Sequence, residues 1–178
     1  MGIIVSTLVG CGKEELMEEF KGKAKFHDMT DETTIKELPP KNFVDDVMHY
    51  VDECDIVFIP TEKFILDEFE RRNIDYDIFY PSKHRRQEII IKLVGTRMPF
   101  PTIAKVDNNF NDWIDTIDAD ESPNCYKHKM EREGEFISNS EIIIEFLKNV
   151  ANERSKKMED SSRSEDDAEE RSQGTEGA

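Results

Sequence analysis

Residues 2–20 read GIIVSTLVGCGKEELMEEF: a continuous apolar run, a glycine turn and the opening of an amphipathic helix. No other stretch restricts the fold as strongly. An unbroken apolar run with β-branched residues, GIIVST, suits a strand buried on both faces. Such strands belong to parallel sheets with helices on either side. Gly10 and Gly12 give the turn its backbone freedom. From Lys13 to Phe20, the residues Leu16, Met17 and Phe20 fall at helical spacing.

The same unit recurs along the chain. AKFHDM is a short second strand, and Phe43, Val44, Val47 and Tyr50 mark a helix over residues 42–52. DIVFIP is the strongest interior strand; TEKFILDEFERR follows as a helix with Thr61 as its N-cap. YDIFYP is another strand, after which Ser82 caps a helix, KHRRQEIIIKL. Residues 107–118, DNNFNDWIDTID, predict a helix around Phe110, Trp113, Ile114 and Ile117; NCYKHKM predicts a last strand and SNSEIIIEFLKNV a closing helix. Alternating strands and helices predict an α/β fold, a mainly parallel sheet with helices on both faces, in one domain over residues 1–150. The stretch from about Ala151 to Ala178 contains no Val, Ile, Leu or aromatic residue. It cannot bury enough apolar surface to offset its ordering entropy, so it reads as an acidic disordered tail.

Charge narrows the functions. The formal net charge is -16 over 178 residues, which argues against general nucleic-acid binding, since phosphate backbones need Lys and Arg. No apolar run is long enough to span a membrane, and the N-terminal apolar stretch is short with no basic residues before it. A cytoplasmic location is expected. Cys11, Cys54 and Cys125 stand apart with no C-x-x-C pair, and read as reduced structural thiols. A cysteine-phosphatase loop needs an arginine six positions on, where Met17, Pro60 and Glu131 stand instead.

Ligands in such folds bind at the carboxyl ends of the strands. There, Gly10, Cys11, Gly12 and Lys13 form a candidate anion cradle, with converging amides and one full positive charge. The common phosphate-loop pattern G-x-x-x-x-G-K-[ST] is altered twice. Thr7 replaces the first glycine, which mainly shapes the way into the loop; Glu14 replaces the hydroxyl that would hold magnesium. The Glu14 carboxylate either meets the metal or points away toward the helix N-terminus. Asp28 after the second strand is a candidate to orient an acceptor or take its proton, with a cap as the equal alternative; Asp31 reads as a cap. Asp55 lies at the wrong strand end for catalysis, whereas Thr61 and Lys63 are placed for ligand contact. Trp113 reads as packing. Arg85, Arg86 and Arg97, with Lys83 and His84, are the densest basic group and candidates to clamp phosphate. A continuous helix would hold Arg85 and Arg97 roughly 18 Å apart; Gly95 and Pro99 predict a bend between them.

The pieces VSTLVGCGK, HDMTD, DIVFIPTEKFILDEFERRNIDYDIFYPSKHRR and NNFNDWID resemble the small P-loop proteins of bacteria and phages of the adenylate-kinase-like or nucleoside-monophosphate-kinase-like group. The resemblance covers about residues 2–148. It implies the three-layer P-loop NTPase fold with a helical lid, ATP as phosphoryl donor, magnesium, and a nucleotide or small phosphate-bearing acceptor. On this resemblance Gly10, Gly12 and Lys13 cradle phosphate, Asp28 is the acidic residue after the second strand, and Arg85, Arg86 and Arg97 belong to the lid. Glu14 departs from its pattern. Three readings stand open: an ATP-dependent phosphotransferase, a nucleotide-binding module that has lost catalysis, and an interaction protein using the fold as a scaffold.

Overall fold

The computed structural model describes residues 2–30 and 38–156. Its elements are β1 (Ile3–Thr7), α1 (Lys13–Glu19), β2 (Phe26–Asp28), α2 (Pro40–Glu53), β3 (Ile56–Ile59), α3 (Lys63–Arg71), β4 (Tyr76–Pro81), α4 (Arg86–Gly95), α5 (Phe100–Ala119), β5 (Cys125–Met130) and α6 (residues 141–156). Short 3₁₀ turns lie at Lys83–Arg85 and Ile137–Asn139.

The strands form one sheet, parallel throughout, in the order β2-β3-β1-β4-β5. All four residues of β3 are fully buried. Successive strand side chains point to opposite faces, so both faces of the sheet are covered there. The crossover from β1 to β2 runs one way along the sheet, past β3, and the later crossovers run the other way. With right-handed connections, α1 therefore lies on one face and α2 and α3 on the other. Arg72 joins these last two, donating from Nη1 to Asp45 Oδ1 at 2.6 Å and from Nη2 to the Lys41 carbonyl at 2.9 Å. The long helix α5 turns Ile103, Val106, Phe110, Ile114 and Ile117 inward at three- and four-residue intervals, which is one stripe of a helix.

Four element ends differ from the sequence expectation, each for a local reason. Helix α5 begins at Phe100, well before residue 107. Pro99 and Pro101 look like breakers, but a proline in the first helical turn has no needed donor to lose. The predicted bend is present, since α4 stops at Gly95 and α5 starts after Pro99. The N-cap position of α3 is Glu62 rather than Thr61, and no side chain caps it. Ser82 precedes a 3₁₀ turn and not an α-helix; its Oγ lies 2.9 Å from His84 Nδ1. Helix α6 runs on to residue 156, past the composition break near Ala151.

That last extension is anchored. The Arg154 guanidinium meets both oxygens of Asp55, at 2.9 and 2.8 Å, and Asp55 Oδ2 also accepts the Lys25 N–H at 2.6 Å. Asp55 is structural, as its place before β3 suggested. Arg154→Ala is expected to lower stability by about 1–2 kcal/mol, the scale of a charge-assisted bond to a largely buried carboxylate. Equilibrium denaturation of the full chain measures it, and a midpoint equal to wild type would deny residues 151–156 their part in the fold.

Candidate functional site

The turn after β1 is held from two sides. The Leu8 carbonyl accepts the Cys11 N–H at 3.2 Å, and the Cys11 carbonyl accepts the Ile137 N–H at 2.9 Å. Gly10 and Gly12 have φ of 86° and 94°, in the left-handed region that favours glycine. A Cβ on Gly12 would lie 2.9 Å from Phe136 Cβ, and one on Gly10 would lie 3.1 Å from Ile89 and Leu93 side-chain atoms. Backbone conformation and packing therefore both favour glycine at these two positions. Helical bonding starts with Leu16 N–H to the Gly12 carbonyl at 3.1 Å. Among the described residues, the amides of Gly10, Gly12, Lys13 and Glu14 make no hydrogen bond. Because α1 has only seven residues, these amides and the Lys13 charge carry the attraction for an anion more than a helix dipole does.

Lys13 reaches across the sheet top. Asp28 is in register with Phe58, and Phe58 with Val5. Two strand spacings, roughly 10 Å, thus separate β2 from β1 at this level. The lysine spans the gap: Nζ donates to Asp28 Oδ2 at 2.6 Å and to Thr30 Oγ1 at 2.5 Å. Thr30 in turn donates to Asp28 Oδ1 from its hydroxyl at 2.7 Å and from its amide at 3.0 Å. Burial alone would raise the Asp28 pKa. The donors from Lys13 and Thr30, with the lysine charge, outweigh it and hold the carboxyl below the usual range. Asp28 thus organises its own turn through Thr30 and pairs with Lys13.

Beside Lys13 opens a cleft of about 650 Å³. It lies where β1 and β3 are neighbours but their connections leave in opposite directions, the switch point at which α/β sheets bind ligands. One wall is the β1 turn with Thr7 and Lys13, and a second is the segment after β3, Pro60 to Lys63. Ser6 Oγ donates to the Pro60 carbonyl at 3.1 Å and ties those two walls together. The third wall is α5, through Val106, Trp113 and Ile117. Thr61 and Lys63 line the cleft as their position after the strand predicted. Trp113 packs against the core and also lines the cleft, a second role that its sequence context did not suggest. Glu62 lines it too, with Oε2 buried and unpartnered among the described residues. The after-strand criterion that selects Thr61 and Lys63 applies equally to Glu62, which was passed over as an ordinary helix residue.

The arginines are placed elsewhere. Arg85 is 1% exposed. Its guanidinium bonds Glu88 twice, at 2.7 and 3.0 Å, and donates to the Glu135 and Met130 carbonyls at 2.6 and 3.3 Å, with Phe136 beneath it. It fastens the 130–136 segment to the start of α4. Arg86 pairs with Asp107 at 2.8 Å. Arg97 is exposed and has φ of 61°, closing the turn that follows α4 in the place glycine often takes. A ten-residue helix, about 15 Å long, separates Arg85 from that turn, so the bend does not gather the basic group. None of the three lines the cleft.

Cys11 lies under the loop with its thiol pushed up to about 12 by burial, which keeps it protonated and unreactive. The Glu14 side chain lines the cleft, is 70% exposed, and has Oε1 3.7 Å from Lys13 Nζ. No group of three or more His, Cys, Asp or Glu side chains converges on a metal position among the described residues, and no described helix is long and apolar enough to cross a membrane. Asp31 falls outside the described residues. Comparison with models of known protein families and with curated proteins finds no match.

Because the Asp28 pKa is lowered in the fold, its contribution to stability is complete above its unfolded value near 4 and is lost as pH falls through the lower folded value. Asp28→Asn is therefore expected to flatten the loss of melting temperature between about pH 5 and 2 relative to wild type. Superimposable pH profiles would show that the Lys13 pairing is absent in solution.

Proposed function

We propose that the cleft binds a nucleoside triphosphate and that the chain is an ATP-dependent phosphotransferase of the P-loop kinase type. The observation that carries this reading is the join of three features at one place. The amides of Gly10, Gly12, Lys13 and Glu14, which make no hydrogen bond among the described residues, stand beside the Lys13 ammonium, which reaches toward Asp28 at the mouth of a cleft on the sheet's switch point. The sheet, parallel throughout and covered on both faces, supports the same reading. In it, Lys13 and the loop amides hold the β- and γ-phosphates and stabilise the charge that develops during transfer. The acceptor oxygen bonds to the γ-phosphorus as the bridging bond to the β-phosphate breaks. The acceptor proton passes to Asp28, which has to release part of its hold on Lys13 as the phosphates arrive. α5 is the helical wall in the place of a lid, and its apolar residues suit the exclusion of water.

Magnesium fits this arrangement. It is commonly held by nucleotide phosphates with one or two protein carboxylates, and Glu14, facing the cleft with only a loose contact to Lys13, is free to supply one. Magnesium would offset phosphate charge at that point. Lys13→Ala is expected to lower turnover by about 10²-fold or more in a coupled ADP-release assay. Turnover equal to wild type would reject the assignment.

A second reading is a nucleotide-binding module without catalysis. The observation favouring it is Glu14 itself, a carboxylate close to where the phosphates would sit. Here nucleotide raises the melting temperature without ADP release, and Glu14→Ser strengthens magnesium-dependent ATP binding. An unchanged metal dependence in that variant removes this reading.

A further inference from the structure

Glu62 leaves β3 between Thr61 and Lys63, and all three line the cleft. Its Oε2 is closed off from solvent and has no hydrogen-bond partner among the described residues. Although Glu62 holds the cap position of α3, its side chain makes no cap bond. A carboxylate oxygen in such a place is costly, and buried polar atoms are otherwise nearly always paired. The adjacent cation is engaged elsewhere, with Lys63 Nζ 2.7 Å from Asp67 Oδ1. Across the cleft, α5 presents Trp113 and Val106 with the hydroxyl-bearing Thr102 and Thr116. The surroundings suit a ring that rests on an apolar wall and brings an N–H or O–H to Glu62.

Resting on the phosphotransfer reading, we infer that the Glu62 end of the cleft is the acceptor's subsite, and that it takes a nucleoside-like hydroxyl compound carrying no phosphate. A phosphate at this end would face the carboxylate, and the cations that line the cleft are the lysines Lys13, Lys63 and Lys105, with no arginine among the described residues to clamp it through paired donors. The three arginines that would have suited a second phosphate are spent on Glu88 and two carbonyls, on Asp107, and on an exposed turn. The acceptor's own hydroxyl then receives the γ-phosphoryl group, leaving the nucleoside diphosphate as the second product.

Isothermal titration of the full chain with adenosine, guanosine, cytidine and thymidine, their 5′-monophosphates, and ATP tests this. At least one nucleoside is expected to bind about ten-fold or more tightly than its own monophosphate. Glu62→Gln is expected to weaken that nucleoside about ten-fold or more while leaving ATP affinity unchanged. Its melting temperature is expected to equal or exceed that of wild type, because a neutral amide costs less than a carboxylate to keep in this half-buried place. A purely structural Glu62 would give the reverse, a lower melting temperature with nucleoside affinity intact. Tighter binding of the monophosphates, no binding of any nucleoside, or full nucleoside affinity in Glu62→Gln overturns the inference. The wild-type comparison stands even if the variant does not fold. Glu62-dependent nucleoside binding without ATP binding would sink the phosphotransferase reading and leave this subsite in place.

Discussion

β1 and β3 pair in parallel from Ile3–Ile56 to Ser6–Ile59, and the arrangement of the cleft follows from that pairing. With β3 inserted between β1 and β2, the chain leaving β1 must pass over a neighbour before it can add a strand. The turn after β1 and the segment after β3 then flank one gap. Ile56, Val57, Phe58 and Ile59 are fully buried, and burying each such side chain contributes about 1.5–3 kcal/mol. Hydrophobic burial in the central strand therefore fixes the distance that Lys13 has to bridge to Asp28.

Charged groups inside the fold are treated in two ways. Arg85 is buried with its donors occupied by Glu88 and two carbonyls, which makes it a fastening between the start of α4 and the segment after β5. Asp55 is likewise answered by Arg154 and the Lys25 amide. Glu62 differs, with one buried oxygen that has no hydrogen-bond partner among the described residues, at the wall of a cleft. Lys13 and Asp28 stand between these cases, since they satisfy each other and would have to exchange partners when an anion arrives. A group whose partner is internal, as for Arg85 and Asp55, supports structure.

Much of the frame was legible in the chain. GIIVST, DIVFIP and YDIFYP are strands because a strand buried on both faces needs an unbroken apolar run. The glycines of VGCGK sit at the turn they announced. The misses have local causes. Helix α5 begins at Phe100, before the expected residue 107, because Pro99 caps it and its first turn tolerates Pro101. The closing helix outlasted its apolar residues because Arg154 found Asp55, 99 residues away in sequence. The basic group around Arg85 looked like a phosphate clamp because side-chain type is visible in a sequence and burial is not.

The sequence by itself determined the alternation of strands and helices, the glycine turn and the lysine that follows it, because apolar periodicity and backbone freedom are properties of neighbouring residues. The tertiary structure alone decided the strand order, the partner of Lys13, the burial of Arg85 and the burial of one oxygen of Glu62. Those outcomes depend on which distant segments share a layer. That is set by how the whole apolar surface is buried at once, and no local pattern carries it.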